Sequence, residues 1–183
     1  VLDGVFSEGL LLEPKTKPIA YIIAIPDAQQ TPEQITGIND DITEESQFAR
    51  HLAENGFCVV VPALISRSYE FSGNKYQTHR EWIYRQAFHM GRHIIGYEVQ
   101  KVLAAVDWFK KTAGKNAKVG VVGYGEGGLI AFYSAAVDSR IDVTLVSGYF
   151  QSRQNVWSEP IYRNVWSLLH EFGDAEIASL ITP

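Results

Sequence analysis

The chain has 183 residues, enough for one domain with a single core. Apolar residues make up 46% and charged residues 20%, and no apolar run approaches the length of a membrane span. The net charge is −5 and the basic residues are scattered, so there is no electrostatic footprint for nucleic acid. Cys58 is the single cysteine, set in an apolar run, which reads as a buried core thiol and rules out an intrachain disulfide. One thiol fixes neither the compartment nor the oligomeric state.

In chain order, residues 1–13 carry two short apolar runs broken at Ser7-Glu8-Gly9, a pattern for an edge hairpin or strand. Residues 14–18 form a turn. Residues 19–25 are almost continuously apolar, as in a strand covered on both faces. Thr31, Pro32 and Gln34 supply an N-cap, a proline at the first helical position and a capping-box glutamine. A longer helix is expected over 43–55, burying Phe48 and Leu52 and stopping at Asn55-Gly56. Residues 57–61 are the next strand, and 63–77 a loop.

From position 79 to about 111 the pattern is helical. Ile95, Val99, Val102, Leu103, Val106 and Phe109 form one apolar stripe, with Glu98, Gln100, Lys101 and Asp107 off it. Gly91 and Gly96 mark a break or kink near its start. Strands follow at 118–122 and 141–146. The segment 156–172 is rich in aromatics, with Val165, Leu168, Leu169 and Phe172 expected on one helical face, and Asp174 caps a last short helix. Strands alternating with helices predict a three-layer α/β sandwich. Its parallel sheet contains 19–25, 57–61, 118–122 and 143–146, with 118–122 central.

The stretch from Lys118 to Ala131 organises the chain: an apolar, β-branched run enters a glycine cluster and leaves with helical periodicity. Two motifs fit this strand–turn–helix. The nucleophile elbow, Gly-x-Ser-x-Gly, has both outer glycines in Gly123 and Gly127, but its central position is Gly125, which has no hydroxyl to activate. The dinucleotide fingerprint is met by Gly123, Gly125 and Gly128. That motif needs the first strand of the sheet and an acid at the end of the next one. Three strands precede this turn, and Asp142 stands at the wrong end of the following strand. The elbow is the better reading.

With the elbow placed, the chain resembles the α/β-hydrolase superfamily, in its acetylxylan-esterase-like and dienelactone-hydrolase-like branch. The resemblance is carried by Ile25-Pro26-Asp27-Ala28, the segment from Gly96 to Val102, the elbow from Gly123 to Gly128, and the segment from Glu159 to Asn164. It implies a partial α/β-hydrolase fold in a single domain over 1–183, C-terminally incomplete and lacking the last strands. The nucleophile position is residue 125. The implied oxyanion hole is made by the backbone N–H groups of Glu126 and Ala28, or a neighbour of Ala28. The family's acid and histidine come later in chain order, beyond Pro183. The substrate class implied is a small-molecule or carbohydrate ester. No cofactor, metal, nucleic acid or membrane partner is implied.

The crevice of such a sheet lies at the carboxyl ends of its strands. Asp27, Tyr124, Ser147 and Tyr149 are candidates there, with Ser66 close by. Ser and Tyr at strand ends more often only complete hydrogen bonds, and no base is matched to them. Glu126 is either an acid in its own right or a surface carboxylate favoured by the helix macrodipole. His170 is the candidate replacement base, on the segment expected to overhang the crevice; His51 and His79 have no such placement. His89 and His93 have the spacing of two metal ligands on a helix, without a third ligand or the glutamate of a metalloprotease. Arg67, Arg80 and Arg85 are anion binders or surface salt-bridge partners. Trp157, Tyr162 and Trp166 form either a stacking wall or core packing.

Three functions compete on these residues. The first is a hydrolase-family protein whose ester-cleaving machinery is absent from this chain, leaving binding or scaffolding. The second is an esterase active only in a longer protein through another nucleophile. The third is a dinucleotide-binding module on Gly123, Gly125 and Gly128.

Overall fold

A computed structural model describes residues 6–39, 41–70, 72–73 and 76–181. Strand β1 (Gly9–Leu12) comes first, and β2 (Tyr21–Ile25) follows the turn at 14–18. Helix α1 (Pro32–Ile35) starts as expected: Thr31 Oγ1 accepts from the Gln34 N–H, and Gln34 returns to the Thr31 N–H. The helix expected over 43–55 is broken in two, a 3₁₀ turn (Glu44–Ser46) and α2 (Phe48–Glu54), because Gln47 leaves the helical region. The break rotates the buried face. Ala49, not Phe48 or Leu52, is sealed against the sheet, and both larger side chains stay half-buried.

Strand β3 (Cys58–Pro62) leads through a loop to α3 (His79–His89) and α4 (Ile94–Thr112). The predicted break between these helices falls at Gly91, whose φ of 66° no L side chain adopts readily, while Gly96 continues within α4. Strand β4 (Val119–Tyr124) enters the elbow, α5 (Glu126–Val137) leaves it, and β5 (Val143–Ser147) follows. The single helical face expected over 156–172 does not form. Two 3₁₀ turns (Arg153–Ser158 and Ile161–Arg163) flank Pro160, and Ser167 at φ 64° precedes the four-residue α6 (Leu168–Glu171). The closing helix α7 (Asp174–Ser179) is capped at Gly173, whose N–H donates to Glu176, so Asp174 is its first residue rather than its cap.

The five strands make one sheet in the order β1-β3-β2-β4-β5. All neighbours pair parallel except β1, which runs antiparallel to β3 at the edge. Strand β4 is interior, as expected, but the middle place belongs to β2. Alternate side chains serve two cores. Ile23, Ile25, Val119 and Val121 face α4 and α5, while Ile22, Ala24, Val59 and Val61 face α1 and α2. These helices on both faces complete the three layers.

Candidate active site

The site is built where β2 and β4 end side by side. Their register pairs Ile25 with Gly123, so the residues that follow each strand emerge together. After β4 the chain turns at Gly125, with φ 56° and ψ −116°, and its N–H donates to the Ser147 carbonyl at 2.9 Å. A Cβ on Gly123 would collide with the Gly127 carbonyl, so the strand can fold back on its helix only without a side chain there.

After β2, Asp27 turns its carboxylate toward this elbow. Its Oδ2 accepts the Glu126 N–H at 2.9 Å, and its Oδ1 accepts the Gln29 N–H at 3.0 Å. Arg67, from the loop after β3, bridges two acids through Nη2, at 3.2 Å from Asp27 Oδ2 and 2.8 Å from Glu126 Oε2. The backbone of that loop is pinned as well, because the Arg67 N–H donates to the Ala28 carbonyl at 2.9 Å. Burial pushes the Asp27 carboxyl up, but the N–H donors of Glu126, Gln29 and Ala28, with Arg67, outweigh it and hold the group below its ordinary value.

Glu126 is the centre of an ion network, not a surface carboxylate. Its side chain is 0% exposed. Arg163 donates to Oε2 from Nε at 3.1 Å and from Nη2 at 2.9 Å, and Arg80 Nη2 stands 3.6 Å from Oε1. Arg80 in turn forks onto Glu98 at 2.7 and 2.6 Å, donates to the Ile65 carbonyl, and lies 5.1 Å from the Tyr162 ring centroid. The fork is the bidentate geometry that a guanidinium and a carboxylate make best. Arg67 and Arg80, read as possible surface partners, are thus interior, while Arg85 pairs on the surface with Glu81.

The other candidates separate. Tyr124 is half-exposed at the elbow, and Ser147 is exposed at the end of β5. Tyr149 is buried against Phe132 and Phe150, in the core rather than the crevice. Ser66 Oγ accepts the Ser68 N–H. His170 is exposed on α6 and bonded to its neighbour Glu171. His89 ends α3 while His93 caps α4 by accepting the Ile95 N–H, so the two do not share a helical face. His51 meets the Glu44 carbonyl, and His79 stacks on Trp82. Tyr162 is buried, whereas Trp157 and Trp166 are 82% and 81% exposed and do not pack in the core.

Among the described residues no group of three or more His, Cys, Asp or Glu side chains could hold a metal ion, and no helix is long and apolar enough to cross a membrane. The acid a dinucleotide fingerprint requires is also misplaced. Asp142 accepts the Val119 N–H and the Lys118 ammonium at the amino end of β4, the opposite end from the glycines. A groove of about 820 Å³ does not open on the ion network either. It lies between α2 and the bare face of β4 and β5, lined by Phe48, Leu52, Phe57, Val122 and Leu145.

The sheet order and the sharp strand–turn–helix after β4 define an α/β-hydrolase fold. Residues 8–158 match the dienelactone hydrolase family, and the chain belongs to it. A search of curated proteins finds no match. Among solved structures, a proposed acetyl xylan esterase of Bacteroides fragilis superposes on all of this chain with a TM-score of 0.81 at 15% identity, over 55% of its own length. A dienelactone hydrolase of Anabaena variabilis matches 80% of this chain at a TM-score of 0.52 and 19% identity, over 59% of its own length. An esterase from an Arctic intertidal metagenomic library matches 79% of the chain at 0.51 and 17%, over 53% of its own length. The chain therefore spans little more than half the length of the structures it resembles.

Proposed function

We propose that this chain is a non-hydrolytic member of its hydrolase family, a domain that retains the elbow and its supporting ion network for binding or scaffolding rather than ester cleavage. One observation carries the reading: residue 125 is glycine in a full elbow geometry, with φ 56° and its N–H bonded to Ser147. The turn that exists to present a hydroxyl is built, and the hydroxyl is not there. Ester-type small molecules or carbohydrate esters are the ligand class that the family suggests.

The single domain is also proposed to be incomplete at β5. Val143 and Leu145 are 67% and 51% exposed on one face of β5, which suits a strand that further chain covers. A longer protein that supplied that cover, with another nucleophile, would be the active alternative.

The test is turnover of p-nitrophenyl acetate, together with labelling by a serine-directed fluorophosphonate. The reading expects rates at background and no labelled residue. Removing triad members elsewhere can leave about 10³–10⁴-fold over water from the remaining contacts, so the reading fails only on saturable turnover or on stoichiometric labelling at the elbow crevice.

A further inference from the structure

We propose that the Asp27 carboxylate is the resident occupant of the oxyanion hole, closing it to acyl carbonyls and to outside carboxylates. The proposal rests on the hydrolase reading of the elbow and deepens it, because it adds a second block independent of the missing hydroxyl.

The Glu126 N–H is the donor that a hydrolase elbow aims at the oxyanion of a tetrahedral intermediate. Useful donors stand about 2.7–3.1 Å from that oxyanion, and Asp27 Oδ2 stands 2.9 Å from this one. This is no local helix cap, since the two residues are 99 positions apart and belong to the ends of different strands. The second oxygen is held by Gln29, and Arg67 offsets the charge. Only 13% of the Asp27 side chain is exposed, so little of the carboxylate is left for solvent or ligand.

Two consequences follow from one oxygen atom. A carbonyl oxygen gaining negative charge in this hole would gain it beside a full carboxylate, and like charges at that range disfavour the charged form. The same Oδ2 also stands where a Cβ on residue 125 would project, with the Asp27 carboxyl carbon 3.1 Å from that Cβ. A side chain at 125 would therefore have to displace the carboxylate of 27. The elbow glycine and Asp27 form a matched pair.

The experiment vacates the hole and offers acetate as the probe. Thermal unfolding of the wild-type chain, Asp27→Ala and Asp27→Asn is followed during titration with sodium acetate at constant ionic strength. Asp27→Ala is expected to melt lower than wild type and to rise saturably with acetate, as mass action requires of a ligand bound only to the folded state. Wild type is expected to be flat, and so is Asp27→Asn, which keeps an acceptor oxygen over the Glu126 N–H. No acetate-specific rise in Asp27→Ala, or an equal rise in wild type, overturns the proposal.

If Asp27→Ala does not fold, amide NMR of the wild type decides. The charged groups facing Asp27 are Arg67 and, beyond it, the Glu126 carboxylate. Glu126 is followed separately through the Arg163 Nε–H resonance. Common titration of the Glu126 and Gln29 amides, distinct from that resonance, supports the proposal, and independent behaviour of the two amides overturns it. Ester turnover is a separate readout, so an acetate-silent Asp27→Ala without esterase activity sinks this proposal and leaves the functional reading standing.

Discussion

Strands β2 and β5 flank β4 on either side, both parallel to it, and they live in different environments. Beyond a half-buried Tyr21, β2 is buried to its end, with helices on both faces. Strand β5 alternates between exposed and half-buried residues, with Val143 and Leu145 open on the α2 side. Strand β5 carries Thr144 and Ser147 where β2 is apolar throughout, yet its apolar Val143 and Leu145 lie exposed. An apolar strand therefore reports what it is suited to lie against, and only the surrounding chain decides whether that cover is present. The carboxyl end of β2 feeds the ion network directly through Asp27, while the chain after β5 sends Arg163 into it and leaves Trp157 and Trp166 exposed.

Substitutions on the two sides should therefore differ sharply in cost. The largest effect is expected from Glu126→Ala, which leaves Arg67, Arg163 and Arg80 facing one another without their shared acid. Breaking such a buried pair costs about 3–5 kcal/mol, measurable as a shift of the urea midpoint. A loss below ~1 kcal/mol would place the network among surface ion pairs and erase the contrast.

Next comes Gly125→Ser. A non-glycine residue at this positive φ costs about 1–3 kcal/mol, and the new side chain also meets Asp27. No ester turnover is expected, because a hydroxyl without a base is a poor nucleophile. In an Asp27→Ala background the same substitution should cost less, with a coupling of about 0.5–3 kcal/mol in a double-mutant cycle. Additive costs would mean that the two positions do not interfere with each other.

Acid should separate the regions more gently. The folded Asp27 carboxyl lies below its ordinary value, so its contribution is complete above the unfolded-state pKa, about 3.9, and is lost as pH falls through the lower folded one. Stability of the wild type should therefore drop below about pH 4, and Asp27→Asn should show a shallower drop. Identical acid profiles for the two proteins would remove Asp27 from the balance.

The smallest effects are expected on β5. Val143→Thr and Leu145→Thr replace exposed side chains and should stay within about 0.5 kcal/mol of wild type. In a longer protein that covers this face, the same changes should cost more, since fully burying such a side chain contributes about 1.5–3 kcal/mol.

Much of the fold was legible because it is written in local patterns. The capping box at Thr31 and Gln34, the break at Gly91 and the strand–turn–helix at the elbow each need only neighbouring residues. The ion network was not legible, because its members meet across long separations: Arg67 and Glu126 are 59 positions apart, Arg163 and Glu126 37. A residue just after a turn at a helix start reads as exposed unless one knows that two loops fold over it. One signal was available. Glu98, expected off the apolar stripe because of its charge, follows Ile95 by three positions and precedes Val102 by four, and the structure places it on that face, fully buried. A carboxylate on that stripe announces a buried cation, and Arg80 is that cation. The failed helical face over 156–172 has a different origin: Pro160 and the left-handed Ser167 interrupt a spacing that hydrophobicity alone made look continuous.

The conflict between Asp27 and a side chain at residue 125 has a bearing on the history open to this chain. A lineage regaining a serine there cannot do so freely in a single step, since the first hydroxyl-bearing variant meets the carboxylate already in place. Shortening residue 27 first clears the path, but that intermediate gives up a carboxylate bonded to Arg67 and to two backbone amides, with no catalysis in return. The order of changes is therefore constrained, and each order passes through a less stable protein.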